Sequence, residues 1–367
     1  MSAFIALLRE HHQALESKYS SQLSHDMRKA IYAMLACKTP QQRQSRWTCN
    51  HCEYNDQTPL SCGHRHCPQC QQNTTRQWLE KQKSKRLPVD YFMVTFTLPF
   101  ELRVLARRRP KALYQLMFSV TSLLLKDFAA RQGLGKIGFT SVLHTHSRRR
   151  ELHPHLHIIV PNGGYDDKRK QFKKGKKGYL FNAFALAKVW RARVLDAINS
   201  HPDLSLANVN KAPDKWVVDC KKIGNGLPAL KYLSRYLYRG VLPDKDIISC
   251  ESTGDQHTVT FRYTDSTTKK IKHRTLPILK FLMLILQHVL PKGLQRVRDY
   301  GLLSSGAKRL RLIIQLLLLP VHDWLKPKKE TTPTRASRIC PCCKHKMHCI
   351  GVTRKPSSNG EVERILD

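Results

Sequence analysis

The chain has 367 residues, and its 64 Lys and Arg outweigh 27 Asp and Glu to give a formal net charge of +37. So much positive charge repels itself without a polyanionic partner, which favours nucleic acid over a membrane surface, since no basic amphipathic helix with interleaved aromatics stands out. The apolar runs 278–290 and 312–321 fall short of the roughly 20 residues of a membrane span, so we expect no membrane partner. We therefore expect a cytoplasmic protein associated with the nucleoid, its 12 cysteines reduced.

The N-terminal part of the chain carries two C-x-x-C pairs separated by 14 residues, a spacing typical of a tetrahedral structural zinc site. We expect the four ligands to be Cys49, Cys52, Cys67 and Cys70. A second zinc site is an open possibility, with Cys37, Cys62 and His66 as its residues. The cluster "CPCCKHKMHC" near the C-terminus could also bind zinc, although its ligand set is ambiguous.

Between the two cysteine clusters, β-branched and aromatic runs alternate with amphipathic stretches. The stretch "YFMVTFTLP" predicts a strand that ends at Pro99, and a helix follows as far as Gly133. Two neighbouring strands, "GFTSVLHTHS" and "HPHLHIIVP", are joined by the basic turn "RRRE". Further along we expect a helix in "FNAFALAKVWRARVLDAI" and a hairpin from "HTVTFRYTD" and "KIKHRTLP".

The second of these strands begins with histidines at alternate positions. Because side chains alternate along a strand, His155 and His157 point to the same face, and Ile158 to Val160 place the strand inside a sheet. The preceding strand carries His144 and His146 on one face, and the short turn brings one of them beside this pair. Three imidazoles with open coordination positions could hold one divalent ion for catalysis. A carboxylate, Gln or water could replace the third imidazole.

The stretch "NGLPALKYLSRYLYRG" predicts a helix with Pro in its first turn and Gly at its end. Tyr232, Tyr236 and Arg239 lie on one stripe, apart from the leucine stripe, and Lys231 and Arg235 add positive charge for DNA. A phenol can attack a phosphodiester that a divalent ion polarises, which leaves a covalent phosphotyrosine. Two tyrosines one turn apart could accept two strands in succession.

These motifs resemble those of the HUH endonucleases, and within them the rolling-circle insertion-sequence transposases with two tyrosines and an N-terminal zinc-binding domain. The resemblance rests on "SCGHRHCPQCQ" with upstream "CNHC", "FTLP", "HPHLHIIVPNGG", "ALKYLSRYLYR" and "HVLPKGLQRVRDYGLL", which occur in the order typical of that family. They extend from about residue 37 to residue 303.

The resemblance implies an α+β fold, with a central antiparallel sheet flanked by helices in the nuclease domain. It also implies Mg²⁺ or Mn²⁺ at His155 and His157, and it favours His144 over His146 as the third ligand. Tyr232 and Tyr236 are then the nucleophiles that form a 5′-phosphotyrosine on single-stranded element ends and free a 3′-OH. We expect four segments. They are a helical, zinc-binding domain (1–88), the catalytic domain (89–265), a basic helical region (266–330) and a Cys/His-containing tail that is zinc-binding or disordered (331–367).

Two alternatives remain open. A plasmid relaxase or replication initiator shares the chemistry but recognises another DNA end. A zinc-dependent DNA-binding protein without catalysis would keep every activity after Tyr232→Phe with Tyr236→Phe. Transposases that use three carboxylates fit poorly, because acidic residues are scarce.

Overall fold

The structure is a computed structural model, and it describes residues 2–70, 72–207, 209, 211–238, 242–254, 256–265, 268, 270–319 and 338–353. The backbone alone is described at 72, 73, 235–238, 253 and 256. The first elements are α1 (Ala3–Tyr19), α2 (His25–Leu35), β1 (Gln44–Thr48), β2 (Asn55–Pro59), α3 (Gln72–Ser84), β3 (Tyr91–Thr97), α4 (Arg103–Arg108) and α5 (Pro110–Arg131). A 3-10 helix, Phe100–Leu102, precedes α4.

The middle of the chain contains β4 (Gly138–His146), β5 (Leu152–Pro161), β6 (Gly163–Asp166), β7 (Gln171–Lys174), α6 (Ala183–Asn199), β8 (Val218–Lys222) and α7 (Leu227–Tyr238). The later elements are β9 (Ile247–Thr253), β10 (Gln256–Thr264), β11 (Ile271–Pro277), α8 (Ile278–Leu286), β12 (Val297–Gly301), α9 (Lys308–Leu318), β13 (Arg338–Ile339) and β14 (Lys346–Val352). None of the helices in the described ranges is long and apolar enough to cross a bilayer.

The centre of the molecule is a five-stranded sheet in the order β12-β4-β5-β3-β8, in which every neighbouring pair is antiparallel. Helices α4, α5 and α6 cover one face, where Phe96, Leu143 and Ile158 are fully buried. This arrangement confirms the expected α+β class with a central antiparallel sheet. Strand β4 is buried at every position, as expected for a strand covered on both faces.

The opposite face of the central sheet is covered by α3 and α7. Trp78 of α3 and Leu230 and Leu233 of α7 pack against Val142 of β4 and Ile159 of β5. Since β4 and β5 alternate, this face is also the one that carries the histidines at 144, 155 and 157.

The N-terminal helices belong to a second core. Ile5 and Leu8 of α1 and Met34 of α2 pack with Phe281 of α8 and Phe261 of β10. The predicted boundary at 265 falls inside the β10–β11 hairpin, whose strands pair from Thr258 with Pro277 to Thr264 with Ile271. Residues from both sides of that boundary therefore share one core with the N-terminal helices.

The basic region 266–330 is not entirely helical, which corrects that expectation. Its strand β12 forms one edge of the central sheet and pairs with β4 from Val297 opposite Val142 to Gly301 opposite Gly138. At the end of this pairing the two chain segments approach closely, since a Cβ added at Gly138 would lie 2.8 Å from the Leu302 Cβ. Lys and Arg around this short strand obscure its pattern in the sequence.

Candidate active site and metal centres

Three imidazoles meet on the face of the sheet that α7 covers. His144 of β4 lies directly opposite His155 of β5, and His157 lies opposite Val142. The ring of His144 is 5.1 Å from that of His155 and 4.5 Å from that of His157, between centroids. One nitrogen from each ring lies within 4.8 Å of the other two, close enough to hold one metal ion. The sheet thus brings together the three residues predicted as ligands.

Hydrogen bonds orient two of these rings. The Nδ1–H of His155 donates to the backbone carbonyl oxygen of His153 at 2.7 Å, which leaves Nε2 with its lone pair for a ligand. The Nδ1 of His157 forms a hydrogen bond with the Thr95 hydroxyl at 3.0 Å. Bonds of this kind fix the tautomer and orientation of metal-binding imidazoles. The sequence pattern did not indicate the part played by Thr95.

Burial keeps the three imidazoles neutral. It lowers the pKa of His155 to about 4 and that of His157 to about 3, and it holds the pKa of His144 well below its usual range. The neighbouring imidazoles lower the pKa values of His144 and His157 further. Because a metal binds only the neutral form, the cluster is ready to accept an ion near pH 7 without first releasing protons.

The tyrosine helix begins at a constrained turn. Gly226 has a φ of +76°, and a Cβ there would lie 2.9 Å from the Tyr91 ring. The side chain of Asn225 accepts a hydrogen bond from the Leu227 amide at 3.0 Å. From this start, α7 runs across the histidine face and buries Leu230 and Leu233 there.

Both predicted nucleophiles lie on α7, together with the predicted DNA contacts Lys231 and Arg235. Tyr232 is 47% exposed, and Lys231 beside it is exposed. Tyr236 lies on α7, but its side chain is outside the described part of the structure, as is that of Arg235. Arg239 lies outside the described residues altogether. The structure therefore places the helix over the histidine face and leaves one phenol accessible.

A polar network that the sequence did not reveal lies on the same face. Asp299 of β12 accepts hydrogen bonds from the Thr140 hydroxyl at 2.6 Å and from the Gln82 amide at 3.2 Å. Asp299 also pairs with the buried ammonium group of Lys85, the residue that directly follows α3. The network ties α3 to the edge of the sheet and thereby fixes one wall of the site.

Eight of the 12 cysteines form two clusters of four. One is Cys37, Cys62, Cys67 and Cys70, and the other is Cys49, Cys52, Cys340 and Cys343. Sulfur pairs within them lie 3.4–3.6 Å apart, too far for a disulfide and close to the ~3.8 Å edge of a zinc tetrathiolate. Four thiolates without an open position suit a structural zinc ion in each cluster.

This grouping differs from the predicted one, because the two C-x-x-C pairs do not share a site. Strand β1 pairs with β14 of the tail, with Thr48 opposite His348, and this pairing brings the tail cysteines to Cys49 and Cys52. Cys67 and Cys70 instead lie beside Cys37, just after α2. The tail is thus an ordered part of the N-terminal zinc-binding module over the residues that the structure describes.

His66, proposed for the second zinc site, does not join either cluster. Its Nε2 accepts a hydrogen bond from the Leu290 amide at 3.3 Å, and burial lowers its pKa well below the usual range. Arg65 next to it donates hydrogen bonds to the carbonyl oxygens of Leu290, Pro291 and Leu294. The loop of the first zinc cluster therefore binds the stretch that leads into β12.

A groove of about 370 Å³ lies between this zinc loop and the central sheet. It is lined by Arg65, His66, Trp78, Lys81, Gln82, Gln295, Arg296, Val297 and Asp299. The amide of Leu143, the neighbour of His144, donates a hydrogen bond to the Arg296 carbonyl oxygen at 2.9 Å, so the groove lies beside the strand that carries His144. Its basic lining suits a polyanion.

Comparisons with known proteins agree with these features. A family model described as "Transposase zinc-binding domain" matches residues 7–98, and one described as "Putative transposase" matches residues 138–311. The chain is 28% identical to "Putative transposase y4qJ" of Sinorhizobium fredii, over 92% of each chain. It is 27% identical to "Transposase for insertion sequence element IS801" of Pseudomonas savastanoi pv. phaseolicola, over 75% of this chain and 70% of that protein.

No solved structure matches the chain significantly. The zinc-binding match contains six of the eight clustered cysteines, and the transposase match contains all three clustered histidines and the tyrosine helix. The chain therefore carries a transposase zinc-binding domain followed by a transposase domain, and it resembles proteins named as transposases over most of its length.

Proposed function

We propose that this protein nicks single-stranded DNA at the ends of an insertion sequence and transfers it through a 5′-phosphotyrosine intermediate. The observation that carries the proposal is the cluster of His144, His155 and His157 on the sheet face that the tyrosine helix covers. A closed structural site would fill its coordination positions with protein ligands, whereas three imidazoles leave positions for DNA oxygens.

The divalent ion proposed for this cluster is Mn²⁺ or Mg²⁺, and when bound it would polarise the scissile phosphate. Imidazole nitrogens suit Mn²⁺ better than Mg²⁺, which prefers oxygen ligands. The residues fit such an ion because their nitrogens converge and are neutral. Thr95 and the His153 carbonyl hold the two β5 rings in position.

Tyr232 and Tyr236 are the proposed nucleophiles. The phenol oxygen of one attacks the phosphorus and loses its proton, the bond to the 3′ oxygen breaks, and a free 3′-OH leaves. The new bond keeps the energy of the phosphodiester, so that a 3′-OH can later displace the tyrosine without another energy source. The second tyrosine can take a second strand while the first is occupied.

Positive side chains are proposed to hold the DNA. Lys231 is exposed next to Tyr232, and Arg235 and Arg239 follow four and eight residues after Lys231 in the sequence. Contacts of this kind position the backbone and do not read the base sequence. They suit a protein whose partner in the cytoplasm is nucleoid or replicating DNA.

The two alternatives are less well supported. A relaxase or replication initiator would share the histidines and tyrosines, but the relatives of this chain are named transposases. A DNA-binding protein without catalysis has no need for three buried neutral imidazoles whose nitrogens converge. The metal-binding geometry therefore favours an enzyme.

The polarity of the covalent product tests the proposal. The protein is incubated with Mn²⁺ and a single-stranded end of its own element that carries a label at either its 5′ or its 3′ terminus. We expect the 3′-labelled strand to become attached to protein on a denaturing gel, and the 5′-labelled strand to be released as a shorter fragment that a polymerase can extend. Attachment of the 5′ label would contradict the proposed chemistry, and no attachment would favour the non-catalytic alternative.

A further inference from the structure

Phe100 is a large aromatic side chain that remains 71% exposed just after β3, the strand that pairs with the histidine strand β5. It lies in the 3-10 helix that follows β3, whereas Leu98 and Leu102 around it are fully buried. Single exposed apolar residues are common on protein surfaces, so exposure alone carries no functional meaning. The charged side chains and hydrogen bonds around this ring are what indicate a function for it.

A positive charge holds and caps the Phe100 ring. The guanidinium carbon of Arg103 lies 4.9 Å from the ring centroid, within the range of a cation–π contact. The same guanidinium donates a hydrogen bond from Nη2 to Nδ1 of His153 at 2.7 Å. Phe100 and Arg103 are therefore oriented from the strand that carries the metal-binding histidines.

The position of this pair relative to the histidine cluster is fixed by strand pairing. Thr97 lies opposite His155, and the Leu98 amide donates to the Pro154 carbonyl oxygen at 3.1 Å. The ring of His153 is 5.1 Å from that of His155. Phe100 thus lies only a few residues beyond the cluster, at the same end of the sheet.

This end of the sheet is strongly basic. The turn between β4 and β5 contains Arg148, Arg149 and Arg150, and α4 ends with Arg107 and Arg108. Exposed aromatic rings among basic side chains form the surfaces on which proteins bind single-stranded nucleic acid, since bases stack on the rings while phosphates meet the charges.

We propose that Phe100 is a stacking platform for one nucleobase of the single-stranded DNA beside the scissile phosphate, with Arg103 holding the ring and facing the adjoining backbone. This inference rests on the proposed function and specifies how that site takes its substrate. Stacking tolerates any base, so the platform would fix the position of the strand without reading its sequence.

The chain contains a matched control for this pair. Phe184 on α6 is 65% exposed, and the ammonium nitrogen of Lys188 lies 4.8 Å from its ring centroid. Helix α6 packs on the opposite face of the central sheet through Trp190 and Val194. Phe184→Ala therefore removes an equivalent exposed ring from a helix on the side of the sheet that faces away from the histidine cluster.

The test measures binding without added Mg²⁺ or Mn²⁺, by fluorescence anisotropy, so that no cleavage occurs. The probes are an oligothymidylate of roughly 20 nucleotides and a fully abasic strand of the same length and charge. We expect Phe100→Ala to weaken binding of the oligothymidylate by about five- to a hundredfold and to leave binding of the abasic strand unchanged. Phe100→Trp should restore the affinity, and Phe184→Ala should change neither value.

Equal weakening on both probes would overturn the inference, because it would indicate damage to the fold or to phosphate contacts. If Phe100→Ala bound the oligothymidylate as tightly as the natural protein, the inference would also be overturned. The same holds if Phe184→Ala lost affinity for the oligothymidylate but not for the abasic strand. The assay is independent of the chemistry. If the protein formed no covalent adduct, the proposed function would fail, while the base-dependent loss would still report the platform.

Discussion

The imidazoles of His146 and His288 lie stacked, with ring centroids 3.6 Å apart and an angle of 24° between their planes. Both are buried, and His146 follows His144 by two residues on β4. His288 begins the stretch that the hydrogen bonds of Arg65 connect to the first zinc cluster. The stack therefore joins the zinc-binding module to the strand that carries His144, one of the three clustered histidines.

Replacing His288 should disturb both stability and the neighbouring metal site. We expect His288→Ala to lower the free energy of unfolding by about 2–4 kcal/mol, because it leaves a cavity beside His146. It should also weaken Mn²⁺ binding, because His144 lies on the strand that loses its support. Urea unfolding and calorimetric titration with Mn²⁺ measure the two effects. His288→Phe keeps a ring in the stack and should lose less of each; equal losses in the two variants would contradict a role in packing.

Stability of the metal-free protein should fall with acid below neutral pH. Burial lowers the pKa of His146 to about 3, below the value of about 6.5 for an unfolded chain. The folded state therefore binds fewer protons, so this contribution is complete above pH 6.5 and is lost as the pH falls toward 3. Each such imidazole adds up to about 1.4 kcal/mol per pH unit.

The histidine variant His146→Phe isolates this contribution. It retains a ring against His288 but cannot be protonated, so its unfolding free energy should depend less steeply on pH than that of the natural protein. Urea unfolding between pH 7.5 and pH 5 measures the slopes. Parallel slopes would show that His146 does not remain neutral in the folded state.

Substitutions of the proposed metal ligands, and of Thr95 that supports one of them, should impair cleavage without impairing DNA binding. We expect His155→Ala or His157→Ala to abolish nicking and leave binding largely intact, because phosphate contacts by Lys and Arg supply most of the affinity. Thr95→Val removes the hydrogen bond to His157 with little change in volume, and should weaken Mn²⁺ binding by about tenfold. Normal metal-dependent nicking in both alanine variants would rule out this metal site.

Zinc content should reveal two separate sites. Cys67→Ser and Cys343→Ser should each lose one zinc ion, and the double variant should lose both, as measured by native mass spectrometry of reduced protein. Cys342 and Cys349 lie outside both clusters of four, so Cys342→Ser and Cys349→Ser serve as controls that retain both ions. If Cys49→Ser and Cys67→Ser together cost only one ion, the two C-x-x-C pairs would share a site after all.

The sequence predicts those features that depend on local periodicity. Alternation along β5 places His155 and His157 on one face, and the short turn between β4 and β5 brings the histidines of β4 beside them; the irregular register between His144 and His146 then separates those two. Helix α5 ends as expected before Gly133, which has a φ of +64°. In each case the residues that interact are close along the chain.

Features that depend on distant pairing could not be predicted in this way. The division of the cysteines follows from the pairing of β1 with β14, whose residues are about 300 positions apart in the chain. Likewise, the stack of His146 on His288 requires the stretch before β12 to return to β4. A spacing of 14 residues between two C-x-x-C pairs is compatible with one shared ion or two.

The identity of the nucleophile is the central claim, and the sequence allows it to be read directly. Trypsin cleaves after Lys231, Arg235 and Arg239, so Tyr232 lies in the peptide YLSR and Tyr236 in the separate peptide YLYR. Tyr238 shares the second peptide, and fragment ions distinguish it from Tyr236.

The decisive measurement is mass spectrometry of the tryptic DNA–peptide adduct formed with Mn²⁺ and a single-stranded element end. We predict adducts on Tyr232 or Tyr236, and none after Tyr232→Phe combined with Tyr236→Phe. Each single variant should abolish transposition, at least one should still nick oligonucleotides, and Tyr238→Phe should have a milder effect. An adduct that persists in the double variant, on any other residue, would contradict the account.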